Sequence, residues 1–107
     1  MADAFTGLLR ITEQGEQARQ EVLLDRVDYP VSADPVRYAN AVTVAPDGLI
    51  WATDASRRFG AKAFGGTFEA SLRDLLEHSC TGRVIVLDPE THKSRVAITG
   101  LCFPNGI

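Results

Sequence analysis

A five-residue pattern occurs twice in this chain, the second time at its last residue. Tyr38-Ala39-Asn40-Ala41-Val42 is echoed by Phe103-Pro104-Asn105-Gly106-Ile107: aromatic, small, Asn, small, aliphatic. The echo extends backwards. Asp3-Ala4 followed by Gly7-Leu8-Leu9-Arg10-Ile11 corresponds to Asp54-Ala55 followed, after an insertion, by Gly82-Arg83-Val84-Ile85-Val86. Val22-Leu23-Leu24 then corresponds to Val96-Ala97-Ile98. A repeat constrains the fold because each unit must bury its faces against units like itself. This one is out of phase with both chain ends. The chain is therefore expected to start and stop inside structural units, leaving most of any active site outside it.

The units are made of strands. Gly7 to Thr12 and Gln20 to Asp25 read as a hairpin around the polar turn Glu13-Gln14-Gly15-Glu16. Val27 to Pro35 has loop composition. Asn40 to Ala45 and Leu49 to Thr53 flank Pro46-Asp47-Gly48, where Gly48 supplies the positive φ of a tight turn. Gly82 to Leu87 and Ser94 to Thr99 form a further hairpin around Asp88-Pro89-Glu90-Thr91. Between them lies an insertion, residues 56–81. Its second half is predicted helical: Thr67 can cap, Glu69 sits in the first turn, and Phe68, Leu72, Leu75 and Leu76 recur on one face.

Four consecutive antiparallel strands with tight turns, repeated, describe a β-propeller blade of roughly 40–45 residues. The predicted class is all-β, a partial propeller. Residues 38–99 form one complete blade carrying the insertion, 1–26 end the preceding blade, and 101–107 open the next. Such a unit cannot cover both of its faces. Self-association through open blade edges is expected of it.

The composition narrows the partners. A formal net charge of −3 and a pI of about 5.2 argue against nucleic acid or an anionic membrane surface, which select basic patches. No apolar run approaches the roughly 20 residues of a membrane helix. No leader with a basic start and apolar core is visible, so the expected location is cytoplasmic. Cys80 and Cys102 are the two cysteines and read as free thiols rather than a disulfide framework.

The run Tyr38 to Ser56, the segment Ala2 to Ile11, the helix Glu69 to His78 and Leu101 to Ile107 together resemble the strictosidine-synthase-like branch of the gluconolactonase/regucalcin superfamily. The resemblance covers nearly the whole chain, with the segments in the family's order. It implies a six-bladed propeller much longer than this chain. In the hydrolytic branch it implies a divalent metal, usually Ca²⁺, held in the central channel by Asn and carboxylate oxygens from several blades. Asn40 and Asn105 fall on two metal-binding Asn positions. The function implied for the parent is metal-assisted hydrolysis of a small-molecule ester or lactone. Phe59, Phe64 and Phe68 fall near the channel mouth and are implied as substrate-binding.

Two departures qualify that picture. Ala41 stands where many relatives carry Asp, removing a supporting carboxylate. The carboxylate ligands belong to blades absent here, so no tightly bound metal and no activity are expected of this chain alone. The synthase branch instead implies a metal-free condensing enzyme with one Glu, which has no counterpart before Ile107. A non-catalytic repeat fragment is the third reading.

Other tempting residues have structural explanations. Asp54 ends a strand, where Asp commonly accepts backbone amides. His78 stands at a helix C-terminus, where the helix dipole favours a cation. His92 lies in a polar turn. No phosphate loop, zinc spacing or Ser-His-Asp set is present.

Overall fold

The computed structural model describes all residues from Met1 to Ile107. Strands β1 (Ala2–Asp3), β2 (Gly7–Gln14) and β3 (Gln17–Leu24) form one antiparallel sheet in that order. Gly15 at φ 63° makes the two-residue link between β2 and β3 possible, since Gln14 pairs with Gln17. The register shifts between Leu8 and Leu9, and both leucines are buried; from Arg10 onward β2 lies exposed. The stretch 27–35, expected to be loop throughout, is closed at its ends by a short ladder. Strands β4 (Arg26–Val27) and β5 (Asp34–Pro35) pair, with Val27 opposite Asp34. Burial of Val27 and ion pairing of Asp34 hold these ends together against their turn-forming composition.

The main sheet contains β6 (Ala39–Val44), β7 (Ile50–Asp54), β8 (Gly82–Leu87) and β9 (Ser94–Leu101), antiparallel and in sequence order. The turn after β6 closes as its residues dictate: Gly48 takes φ 88°, and Asp47 Oδ1 accepts the amide of Leu49 at 3.0 Å. Strands β7 and β8 pair without a slip, from Ile50 opposite Leu87 to Asp54 opposite Arg83. All six residues of β8 are buried.

One core cluster joins the two larger sheets: Leu8 and Leu24 meet Val27, Ile50, Ala52, Ile85 and Leu87. A second gathers Phe59, Ala61 and Ala70 of the insertion against Tyr38 and Ala55. The architecture is all-β, a partial β-propeller with one helix-bearing four-stranded blade. Apolar residues remain exposed at its margins, among them Ile11 and Val22 on the first sheet and Val44 and Ile98 on the main one.

Helix α1 (Thr67–Glu77) forms where periodicity places it, but its details differ from expectation. Gly66, not Thr67, occupies the N-cap, and no side chain caps the helix. The helix buries Ala70 and Asp74. Its large apolar residues Phe68, Leu72, Leu75 and Leu76 face outward. Small Ala70 allows close approach to the blade, so the bulky stripe is left to the other side. At 11 residues α1 is too short to cross a membrane, and no helix is long and apolar enough to do so.

A buried ionic cluster ties the blade's inner strands to the preceding segment. Arg83, 1% exposed, donates from Nε to Asp54 Oδ2 at 3.0 Å, from Nη1 to Asp34 Oδ2 at 2.6 Å and from Nη2 to the Pro35 carbonyl at 2.9 Å. Asp54 Oδ1 accepts the amides of Tyr38 at 2.8 Å and Arg37 at 3.3 Å. Asp54 is thus the acceptor of backbone amides that its position suggests, with a guanidinium added. Burial pushes its carboxyl above the usual carboxylate range, and Arg83 and the amides oppose that rise. Removing one partner of a buried charge pair leaves the other uncompensated, at a cost of about 3–5 kcal/mol. Asp54→Asn is expected to lower the unfolding free energy by about that amount, measured by urea titration; an unchanged midpoint would show that the cluster does not hold the blade.

Candidate functional site

The two repeated asparagines meet. Asn40 is the second residue of β6, where the ladder with β7 is irregular between Ala39 and Val42. There the amide of Ala41 turns to Thr53 Oγ1 at 3.0 Å instead of a backbone carbonyl. Such irregularities re-aim side chains at sheet rims. Asn105 arrives on the segment after β9. Its Oδ1 accepts Asn40 Nδ2 at 3.0 Å, and the same nitrogen donates to the Pro104 carbonyl at 3.3 Å. Two residues 65 positions apart thus share one contact at the end of the blade.

Three further contacts hold the segment that carries Asn105. The Phe103 ring meets Tyr38 edge-on, with centroids 5.0 Å apart. Pro104 lies over Gly82, where a Cβ would collide with Pro104 Cδ and stand 2.8 Å from the Ala55 carbonyl oxygen. Cys102 is bonded to Cys80. That last contact corrects the expectation of free thiols. Two cysteines 22 residues apart carry no pairing information in sequence, but the end of α1 and the end of β9 come together in space, with the Cα atoms 3.8 Å apart.

The three phenylalanines occupy two environments. Phe59 is buried in the second core cluster, and its ring meets Phe64 edge-on at 5.0 Å. Arg58 lies 4.6 Å above the Phe59 ring and Arg73 5.6 Å above that of Phe64. Phe68 stands apart, 73% exposed. With Leu72, Leu75, His78, the Cys80–Cys102 bridge and Phe103, it lines an open cavity of about 370 Å³. The walls are mainly apolar, with Asp74 and His78 at the polar end. His78 takes the left-handed C-cap conformation, and Asp74 Oδ2 accepts Ser79 Oγ at 3.0 Å. Tyr38 connects both regions: its hydroxyl donates to the Thr67 carbonyl at 3.1 Å, and burial raises its phenol above the usual value. His92, at φ 59°, stays in the exposed turn between β8 and β9.

No group of three or more His, Cys, Asp or Glu is placed to hold a metal. The oxygens of Asn40 and Asn105 are hard, neutral donors. They fit as a minor part of the shell of about 6–8 oxygens that calcium takes, and they bring no charge.

No local pattern in the sequence marks Arg83, although its place opposite Asp54 follows once the β7–β8 register is known. The cavity has no sequence signal either, because helical periodicity implies an apolar face without saying whether that face turns inward.

Strand order, blade and helical insertion together define a propeller-type protein. A family model described as strictosidine synthase matches residues 40–107. The chain belongs to that family. The Arabidopsis thaliana proteins strictosidine synthase-like 4 and 6 are 38% and 35% identical to it across the whole chain. The adipocyte plasma membrane-associated protein of Danio rerio is 27% identical over 108 residues, again the whole chain. The chain spans about a quarter of the length of these curated relatives: 25%, 25% and 24%.

Gly82→Ala is expected to push Pro104 outward, separate Asn105 from Asn40 and destabilise the chain by about 1–3 kcal/mol. The side-chain amide resonances of both asparagines would report it by NMR. Unmoved resonances would mean that Pro104 does not set the position of Asn105.

Proposed function

We propose that this chain is part of a strictosidine synthase-like propeller that hydrolyses an ester or lactone, with a divalent cation held in its channel by Asn40, Asn105 and carboxylates from other blades. The observation that carries this reading is the 3.0 Å contact between two asparagines 65 residues apart in sequence. It brings the two side-chain amides together at the end of one blade, with the Asn105 oxygen accepting from the Asn40 nitrogen. Calcium bound there would supply Lewis acidity toward a carbonyl oxygen. The residues of this chain would orient the ion and, through Phe68 and the apolar cavity beside it, hold the apolar part of a small substrate. This chain alone, with two neutral donors, is inactive in this reading.

A metal-free condensing activity is the second reading. The description of the matching family favours it. Calcium titration of the whole protein separates the two. Metal-dependent turnover of a simple aryl ester or lactone is expected, with Asn40→Ala and Asn105→Ala each raising the calcium requirement at least tenfold. Turnover and melting that ignore both calcium and a chelator would overturn the hydrolase reading.

The 107-residue chain is a self-associating module in this view, because the exposed apolar residues of α1 and of both sheets need cover. Light scattering coupled to size exclusion is expected to give a multiple of 11.6 kDa. A cooperative, monodisperse monomer would contradict it. The cytoplasmic location read from the sequence carries with it a reduced Cys80–Cys102 pair; an oxidising compartment preserves the bridge.

A further inference from the structure

We propose that the Cys80–Cys102 bridge is a thiol-sensitive latch that fixes the segment carrying Asn105, and one wall of the cavity beside α1, to the end of the helix. The inference does not depend on which reaction the whole protein performs. The bridge joins two segments that are otherwise lightly held. On one side, His78 and Cys80 both adopt positive φ, 54° and 47°, between α1 and β8. On the other, Phe103 follows Cys102 at φ 52°. Left-handed backbone is unfavourable for residues other than glycine and persists where surrounding contacts impose it. Three such residues flank this one covalent link. On the α1 side the helix turns Phe68, Leu75 and Leu76 outward and buries only Ala70 and Asp74; its other ties are the Tyr38–Thr67 hydrogen bond, the Arg73–Phe64 contact and the exposed Arg58–Glu77 ion pair.

The sulfurs are also reachable. Cys102 is exposed, Cys80 is half-buried, and both line the open cavity. Exposed disulfides are the ones that small thiols attack. A dithiol supplies the chemistry. Its thiolate attacks one sulfur, forms a mixed disulfide and expels the other cysteine as a thiolate. Its second thiol then closes on the mixed disulfide and releases the remaining cysteine. Two electrons pass to the protein, two protons complete the thiols, and the reagent leaves as a cyclic disulfide. What remains on the 101–107 segment is the pairing of Leu101 with Gly82, the Phe103–Tyr38 contact, the fit of Pro104 over Gly82 and the hydrogen bonds of Asn40 to Asn105 and the Pro104 carbonyl. These are non-covalent and lie at the end of the chain, whereas β7 and β8 are paired on both sides within the sheet. Reduction therefore acts on the latch and spares the blade.

Hydrogen exchange followed by mass spectrometry on the 107-residue chain, before and after treatment with dithiothreitol, tests this. Exchange in peptides spanning 67–80 and 101–107 is expected to rise at least tenfold, with residues 82–98 unchanged and oxidation restoring the original pattern. Cys102→Ser and Cys80→Ser should each reproduce the reduced state without reagent. Equal exchange in both redox states would overturn the proposal. So would opening of β8 together with the latch, which would make the bridge a staple for the whole fold, or two free thiols in the untreated chain.

Discussion

The guanidinium of Arg83 is the point on which this structure turns. It is removed from water, so each of its donors requires an acceptor. It finds them in Asp54 on the neighbouring strand, and in Asp34 and the Pro35 carbonyl on the segment leading into the blade. Asp54 in turn receives the amides of Arg37 and Tyr38. One cross-strand pair thereby fixes where the chain enters β6. Asn40 stands two residues beyond Tyr38, so its position is set by a charge pair that it does not touch. A hydrophobic contact at that place would bury area but would not set direction; three aimed hydrogen bonds do.

Around this anchor the fold divides into a firm part and an open part. The firm part is β7 and β8 with Leu8 and Leu24 of the preceding sheet and Val27 of β4, where apolar residues fill the space between sheets. The open part comprises the outer half of the β2–β3 hairpin, the apolar face of α1 and the last residues of the chain. The site lies at the boundary between them. Asn40 lies on β6, which pairs with the firm β7, and Asn105 belongs to the open part, so the distance between them depends on how the terminal segment is held. Family membership and the quarter-length span of the relatives agree with this division, because a blade covers its faces with neighbouring blades.

The alternation of valines and isoleucines, the Pro46-Asp47-Gly48 turn and the repeated Asn pattern made the strands and the blade legible in the sequence. Those features act within a few residues, through backbone preference and side-chain period, and a sequence displays them directly. The prolines and serine of the 27–35 stretch are turn formers and point to loop; pairing at its two ends rests on Val27 and Asp34, whose packing and ionic partners lie far along the chain. The outward face of α1 was equally hidden. Helical periodicity announces an apolar stripe, but whether the stripe or Ala70 meets the blade depends on how closely the helix can approach.

The sequence by itself determined the strand repeat, the helical insertion, the family and the two asparagines worth watching. Tertiary structure alone decided that those asparagines touch, that Arg83 lies between two carboxylates and that Cys80 is bonded to Cys102. Each of these joins residues at least 22 positions apart. Such encounters follow from register and packing over the whole chain, which no local pattern encodes.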